Sequence, residues 1–242
     1  MEYNIWRAPT DNDRIIENEW RTAQFDRTMT RSYQTDVRMD EHAHSVQIHT
    51  TLSLSACYIQ RILNMQAVFT VFADGAVDLS LAVTRDPIFP MLPRFGIRFF
   101  LPKELNQVDY FGVGPFESYI DKRRAGYHGC FSSDVRAMHE DYLRPQENGS
   151  HYDCDYVTIG NTDVSLTAAS AVPFSFNASV YTEEELTKKA HNYELEESGH
   201  TVLCIDYRQN GIGSNSCGPE LLEKYRLDET EFTFAFRLVP QC

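Results

Sequence analysis

The amino-acid sequence predicts an all-β protein, and three observations support this fold class. Hydrophobic and polar residues alternate with a period of two along most of the chain, which is typical of half-buried strands. Helical periodicity is almost absent, and strands without intervening helices favour an antiparallel sandwich. The chain has 242 residues, 42% of them hydrophobic, so it can bury a large core. No linker divides it, and we expect one large antiparallel β sandwich over residues 1–242.

The clearest strand pair lies at residues 66–84, with the sequence QAVFTVFADGAVDLSLAVT. Two alternating runs flank Asp74 and Gly75, which predicts a hairpin with a type I′ turn. Five further strands are predicted, namely FGIRFFLP (95–102), DVSLTAAS (163–170), FSFNASVY (174–181), TVLCIDYR (201–208) and EFTFAFRLV (231–239). One helix is predicted at residues 182–190, where Thr182 and Glu185 can form a capping box.

Three histidines fall in the stretch HAHSVQIH, at positions 42, 44 and 49. If this stretch is a strand, His42 and His44 share one face and could hold a metal ion. Two ligands on an otherwise polar strand are too few for a metal site, so a solvated strand face is the better interpretation. We therefore expect no metal site in this chain.

Charge and composition argue against several classes of protein. The formal net charge is -13, the isoelectric point is about 5.0, and no basic stripe is present, so nucleic-acid and membrane binding are not expected. The chain has no run of about 20 apolar residues and no N-terminal signal pattern. Six scattered cysteines without a C-x-x-C pair indicate free thiols in a reducing compartment. These features predict a cytoplasmic protein.

Four polar, turn-rich segments lie between the predicted strands. They are IWRAPTDNDR (5–14), GVGPFESYIDKR (112–123), RPQENGSHYDCDY (144–156) and NGIGSNSCGP (210–219), called the signature segments below. Each combines glycine or proline with carboxylates, amides or aromatic rings, a composition that is common in loops that bind or position a ligand. Turn formation alone also favours these residues, so both interpretations stay open at this point.

The order and content of these segments resemble the C-terminal domain of β-galactosidases of glycoside hydrolase family 2. In some members this domain is a separate small chain. The stretches LPRFGIRFFLP (92–102) and AHNYEL (190–195) fit the same pattern, and the resemblance spans residues 4 to about 240. It implies a large twisted antiparallel β sandwich similar to the galactose mutarotase fold, which agrees with the predicted strands.

The resemblance also implies a role within a larger enzyme. In this family, terminal β-galactosides such as lactose are hydrolysed with retention of configuration by two glutamates of a TIM barrel, which must lie about 5 Å apart. Because this chain shows no (βα)8 alternation, we expect that it holds no catalytic residue and is inactive alone. The implied partner is the barrel portion of the same enzyme, which binds magnesium and also sodium, and the implied parent is a homo-oligomer.

The resemblance further implies that strands are missing at the start of the chain. The family's domain carries several strands before the WRAP stretch, whereas only Met1 to Asn4 precede the first signature segment here. Unpaired strand edges offer backbone N–H and C=O groups to another chain, so we expect self-association through them.

The glycine loop, residues 210–219, is the segment that the resemblance places at the mouth of the sugar site. The residue matching Cys217 lines the leaving-group side, where some members have a tryptophan that stacks on the sugar ring. Cysteine lacks this aromatic surface, while Asn215 and Ser216 can hydrogen-bond to hydroxyl groups. Two interpretations of Cys217 stay open: a substrate contact, or a small residue that fills the loop.

A second candidate substrate contact is Glu17, within the stretch RIIEN (14–18). Relatives often have glycine at the position of Ile15, in a loop that is mobile beside the active site. A β-branched residue makes such movement less favourable. Four residues of the preceding turn are assigned a structural role through side-chain to backbone hydrogen bonds, namely Arg7, Asp11, Asn12 and Asp13.

Two polar groups contain the paired carboxylates that acid–base chemistry would require. The first is Glu117, Tyr119 and Asp121, and the second is Gln146, Glu147 and Asn148. Buried carboxylates need partners, so we expect a network that holds the loops against the barrel. The expected cations are Arg123, Arg124 or Arg144. The alternative is a network that contacts sugar, inherited from a carbohydrate-binding ancestor.

Two other functions stay open. A stand-alone carbohydrate-binding module would expose Trp6 and Trp20, the only tryptophans, as a platform for sugar rings. A mutarotase-like aldose epimerase would use a histidine and a glutamate as acid and base, and His128, His139 and His151 are available. The signature segments favour the galactosidase domain over both alternatives.

Overall fold

The computed structural model describes residues 1–40, 42–213 and 218–241, and within these ranges the chain forms twelve strands. The strands are β1 (Glu2–Asn4), β2 (Met29–Asp40), β3 (Ser45–Ser55), β4 (Leu63–Phe72), β5 (Val77–Arg85), β6 (Arg94–Pro102), β7 (Gln107–Gly114), β8 (Tyr127–Asp134), β9 (Ser150–Gly160), β10 (Ser165–Ser179), β11 (His200–Gln209) and β12 (Glu231–Gln241). The α-helices are α1 (Ile16–Thr22) and α2 (Glu183–Lys188). Short 3-10 helices cover Asp11–Asp13, Phe25–Arg27, Val135–Met138, Asn192–Glu194 and Glu223–Tyr225.

All pairs between these strands are antiparallel, which confirms the all-β antiparallel prediction. The main path runs in the order β1-β6-β11-β10-β12-β5-β4-β3-β2, and a branch of β9, β7 and β8 leaves it at β10. Strand β10 changes partner along its length, because residues 165–169 pair with β12 and residues 175–179 pair with β11. A register irregularity between Ala169 and Phe174 marks the change.

The sheet curls so that its strands enclose a core. Phe95 of β6 and Phe232 of β12 are three places apart in the strand order, about 14 Å along a flat sheet. Their ring centroids are nevertheless 5.0 Å apart, and Tyr207 of β11 stacks on Phe232 at 4.6 Å. The two ends of this part of the sheet therefore face each other across buried side chains, as a sandwich or nearly closed barrel requires.

Two predicted elements need correction in their details. The segments predicted as separate strands around residues 163–170 and 174–181 belong to the single strand β10, because the sequence around Pro173 forms an irregularity and not a turn. The predicted hairpin exists as β4 and β5, but its turn is not type I′. Gly75 has a φ of +88°, whereas Asp74 does not have a positive φ, and type I′ needs both.

The helical predictions were incomplete. Helix α2 begins after Thr182, whose hydroxyl accepts the Glu185 N–H at 3.1 Å as expected. The reciprocal half of the capping box is replaced, because the Glu185 carboxylate accepts from the Glu196 N–H at 2.9 Å. Helix α1 was missed, although Ile16, Trp20 and Ala23 are buried at helical spacing. Seven residues are too few for this periodicity to stand out.

The histidine stretch was assigned wrongly in part. His42 and His44 lie in the turn between β2 and β3, where His44 has a φ of +48°, so they do not share a strand face. Only His49 lies in a strand, β3, and its Nε2 atom is 3.1 Å from the Gln47 side-chain oxygen.

Candidate functional site

The four signature segments meet at one place on the molecule and form a loop cluster. The Glu147 N–H donates to the Ala8 carbonyl at 2.9 Å, and the Asp11 N–H donates to the Gln146 side-chain oxygen at 3.1 Å. The segment at 112–123 joins them, because the Ser118 N–H donates to the Ser150 carbonyl at 2.7 Å. Segments far apart in the sequence are therefore fixed to one another by direct hydrogen bonds.

A buried ion pair lies at the centre of the first segment. Arg7 and Asp13 are both 0% exposed, and Nη2 of Arg7 is 2.7 Å from Oδ1 of Asp13. Asp13 also accepts from the N–H of Thr10 at 2.9 Å, which closes the turn. The Arg7 guanidinium lies 5.4 Å from the ring centroid of Trp20, so α1 packs against the same pair.

The glycine loop is anchored to the cluster through the carbonyl groups of its first residues. Arg7 donates to the Asn210 carbonyl at 2.5 Å and to the Gly211 carbonyl at 3.1 Å. The Asn12 amide donates to the Ile212 carbonyl at 2.8 Å. Asp11 does not contribute its side chain in this way, since its carboxylate is exposed and lies 3.9 Å from Arg144.

Asp121 contacts the same loop from its amide side. Its Oδ1 accepts from the Ile212 N–H at 3.0 Å, and its Oδ2 accepts from the Gly213 N–H at 2.8 Å. Tyr119, which is buried, and Lys122 exchange backbone hydrogen bonds at 2.8 and 3.0 Å. These bonds close a tight turn that sets the position of Asp121. The segment 112–123 thus holds the loop that was predicted to reach the sugar.

The predicted substrate contacts have different outcomes. Asn215, Ser216 and Cys217 lie outside the described residues. Glu17 lies on α1, where its carboxylate pairs with Arg21 at 2.7 Å and is partly exposed. That pair occupies one carboxylate oxygen, and contact between Glu17 and a substrate stays a prediction.

The expected arginine partners of the paired carboxylates are wrong. Glu117 is bound by Lys122 and by the Tyr142 hydroxyl, and it accepts from the Gly149 N–H at 2.9 Å. The tight turn at 119–122 brings Lys122 back to Glu117, while Arg123 and Arg124, which follow it, are exposed. Arg123 lies over the Tyr152 ring at 5.3 Å.

In the second group, Gln146 and Asn148 support the loop itself. The Asn148 side chain accepts from the Glu140 N–H at 3.0 Å and donates to the Gln146 carbonyl at 2.8 Å. Buried Asn177 of β10 donates to the Asn148 carbonyl at 2.5 Å. These bonds tie the loop at 144–149 to the sheet below it.

Glu147 belongs instead to a buried ion cluster beneath the loops, which sequence reasoning missed. The cluster consists of Arg94, Arg98, Glu147, Glu183 and Asp206. Arg94 lies at its centre, 2.5 Å from Asp206, 3.1 Å from Glu183 and 3.3 Å from Glu147. The alternation RFGIR could have revealed it, since Arg94 and Arg98 share one face of β6 while Phe95 and Ile97 share the other.

The carboxylates of the ion cluster differ in protonation tendency. Burial raises the pKa of Glu147 to about 7, although Arg94 opposes this shift. Burial also raises the pKa of Asp206, again against the attraction of Arg94. Burial acts on Glu183 in the same direction, but Arg94 and Arg98 together lower its pKa below the ordinary value. Arg94 contacts all three carboxylates, whereas Arg98 contacts only Glu183 among them and also pairs with Glu2 and Glu184. Glu183 is therefore compensated best, and the pKa of the other two stays raised.

The side chains needed for the two alternative functions are buried or already bonded. Trp6 and Trp20 are 4% and 0% exposed, so they do not form a platform for sugar rings. Burial lowers the pKa of His151 to about 4, and its Nδ1 atom is 3.3 Å from the Val113 carbonyl. Burial also lowers the pKa of His139, while His128 lies 2.9 Å from the Asp153 carbonyl.

Within residues 1–40, 42–213 and 218–241, no group of three or more histidine, cysteine, aspartate or glutamate residues could hold a metal ion. Nor does that part of the chain contain a helix long and apolar enough to cross a membrane.

Comparison with known proteins identifies the family. The model of the family described as "Beta galactosidase small chain" matches residues 1–238. A β-galactosidase of Actinobacillus pleuropneumoniae is 46% identical over 99% of this chain and 23% of its own length. A β-galactosidase of Staphylococcus xylosus is 39% identical over 97% of this chain, again 23% of its own length.

A solved structure, described as a GalM/aldose epimerase homologue from C. elegans, is 8% identical with a TM-score of 0.39. It covers 86% of this chain and 68% of its own, and a similarity at this level carries no argument about chemistry. The chain spans about 23% of the length of the curated relatives it matches. These matches show that the chain is a small-chain domain and belongs to the β-galactosidase small-chain family.

Proposed function

We propose that this chain is the non-catalytic domain of a larger β-galactosidase that hydrolyses terminal β-galactosides, such as lactose, with retention of configuration. The observation that carries this proposal is the convergence of the four signature segments, with the glycine loop held at its base by Arg7, Asn12 and Asp121. Loops that bind ligands work best when a rigid scaffold fixes them. In this proposal the two catalytic glutamates belong to the parent enzyme outside these residues.

The proposed task of the glycine loop is to complete the leaving-group side of the sugar site. Asn215 and Ser216 would hydrogen-bond to sugar hydroxyls there, and Cys217 would offer a small, weakly polar surface in place of an aromatic ring. Glu17 is the proposed contact on α1. The magnesium and sodium ions implied by the family are assigned to the barrel portion, since the described residues offer no metal-holding group. No step assigned to this chain involves a metal.

The outer surface of the loop cluster supports a second role, contact with the barrel portion. Phe116 is 61% exposed in the segment 112–123, which ends at the exposed Arg123. Leu143, which is 83% exposed, directly precedes the exposed Arg144 of the segment 144–156. Protein interfaces are typically rich in such exposed apolar side chains and in arginine. The ion cluster and the hydrogen bonds beneath would keep this surface in shape when the barrel binds.

The test is β-galactosidase activity of the purified chain, measured alone and after mixing with the rest of its parent enzyme. We expect activity only in the mixture. The variant Arg7→Lys, which cannot hold two loop carbonyls and Asp13 together, should give a less active mixture. Arg237→Lys is the matched control, because Arg237 pairs with Asp78 between β12 and β5, outside the loop cluster. Turnover by the chain alone would overturn the proposal.

A further inference from the structure

The first residues of the glycine loop are hydrogen-bonded through both their carbonyl and their N–H groups. The side chains of Arg7 and Asn12 donate hydrogen bonds to its carbonyl groups. The single carboxylate of Asp121 accepts from two consecutive backbone N–H groups, those of Ile212 and Gly213. A carboxylate that bridges two N–H groups makes charge-assisted hydrogen bonds, which are stronger than neutral ones. This arrangement holds the backbone of the loop base, from Gly211 to Gly213, on both its carbonyl and its amide side.

The same carboxylate accounts for two of the glycines. A Cβ atom on Gly213 would lie 3.0 Å from Oδ2 of Asp121, and one on Gly211 would lie 2.7 Å from it. Neither residue has the positive φ that usually demands glycine. By contrast, a Cβ atom on Gly218 would meet no atom of the described residues within 4 Å. A side chain at either position would therefore press on the Asp121 carboxylate, and at Gly211 also on Leu221, whose Cδ1 atom would lie 2.9 Å from the added Cβ atom.

We propose that Asp121 is the positioning residue of the glycine loop, and that Gly211 and Gly213 are glycines in order to admit its carboxylate. The geometric part of this inference concerns the 242-residue chain alone. Its consequence for catalysis rests on the proposed function, because it assumes that the glycine loop contributes to the galactoside site.

The first test is amide hydrogen exchange of the chain, read residue by residue by NMR. Asp121→Ala should speed exchange at Ile212 and Gly213 by about tenfold or more, as expected for the loss of charge-assisted bonds. Asp121→Asn keeps one acceptor oxygen and should protect one of the two amides. The control is Asp134→Asn, which also replaces a carboxylate that accepts a backbone N–H, that of Arg136 at 2.8 Å, and which should leave exchange at Ile212 and Gly213 unchanged. Unchanged exchange at Ile212 and Gly213 would overturn the geometric part.

The second test is a double-mutant cycle between Asp121 and Gly213. Gly213→Ala should lower the unfolding midpoint in the wild-type background, because its methyl group meets the carboxylate. In the Asp121→Ala background the same change should have little effect, so the two changes are not additive. Gly218→Ala, whose added methyl group meets none of the residues that the structure describes, is the control that should leave the midpoint unchanged in both backgrounds. Additive effects of the two changes would contradict the proposed close approach.

The third test examines the consequence in the parent enzyme. Asp121→Ala should raise KM for lactose by about tenfold with a smaller change in kcat, since a displaced loop weakens binding and leaves the catalytic glutamates in place. Asp134→Asn should change neither constant. If exchange responds as expected but both constants stay unchanged, Asp121 still positions the loop, and the proposed contribution of the loop to the sugar site is wrong.

Discussion

At the scale of single residues, Glu147 links the loop cluster to proton binding. Its pKa is raised from 4.5 to about 7 because burial outweighs the attraction of Arg94. Between these values the folded protein binds a proton that the unfolded chain releases. The free energy of unfolding therefore falls as the pH rises through this window, by about 3 kcal/mol in total. The direction is opposite to that of an ordinary ion-paired carboxylate.

The variant Glu147→Gln should remove this dependence, because it keeps the shape of the side chain without an ionisable group. We expect the difference in unfolding free energy between variant and wild type to shift in favour of the variant by about 3 kcal/mol between pH 4.5 and pH 8. Urea unfolding at several pH values measures it. A difference that stays constant over this range would show that Glu147 is ionised in the fold.

Glu183 provides the matched comparison within the same ion cluster. Arg94 and Arg98 keep its pKa low despite burial, so it stays ionised across the same range. Glu183→Gln should destabilise the protein by about 3 kcal/mol, because it leaves part of two buried guanidinium charges uncompensated. Because the Glu183 charge also raises the pKa of Glu147, Glu183→Gln should in addition weaken the pH dependence that Glu147 gives to the free energy of unfolding.

At the scale of elements, the sequence predicted strands whose burial alternates, such as β12, and strands with an almost continuous buried run, such as β6 and β11. In β12, Phe232, Phe234 and Phe236 are buried and the residues between them are exposed, so a period of two is visible. In β2, all twelve residues are exposed, and no such period exists to be read. Helix α1 is too short for periodicity, and β10 hides an irregularity near Pro173 that resembles a turn in sequence. Patterns of burial are readable from sequence only where at least one face is buried.

The N-cap of α2 gives a prediction at this scale. The Thr182 hydroxyl accepts the Glu185 N–H at 3.1 Å, and α2 carries Glu183 into the ion cluster. Thr182→Ala should lower the free energy of unfolding by about 1 kcal/mol, whereas Thr182→Ser should keep most of it. Thermal unfolding of both variants measures the difference. Equal losses for alanine and serine would mean that the hydroxyl does not cap the helix.

At the scale of the whole molecule, the loop cluster was predictable as a set of segments but not as a set of contacts. Arg7 and Gly211 are separated by 204 positions in the sequence, and nothing local specifies that they touch. The sequence indicated that the carboxylates of Glu117 and Glu147 need cationic partners if they are buried. The three-dimensional fold determines which cationic side chains lie close enough to pair with them. Lys122 is supplied by a local turn and Arg94 by a distant strand, so one sequence rule does not cover both.

The free edge of the sheet at β2 leads to a prediction about association. Strand β2 is last in the sheet order, all twelve of its residues are exposed, and Val37 and Met39 are 63% and 78% exposed. A long edge with exposed apolar side chains pairs readily with another copy. We therefore expect the isolated chain to self-associate with rising concentration, and Val37→Lys to reduce this association, because lysine on an edge strand disfavours pairing.

The control for Val37→Lys is Leu222→Lys. Leu222 is 60% exposed and lies outside the strands, and this variant adds the same positive charge to a formal net charge of -13. Sedimentation equilibrium of the three proteins measures the association. If both variants reduce association equally, general charge and not pairing at β2 drives it. If only Val37→Lys reduces it, the edge strand is the site at which two copies meet.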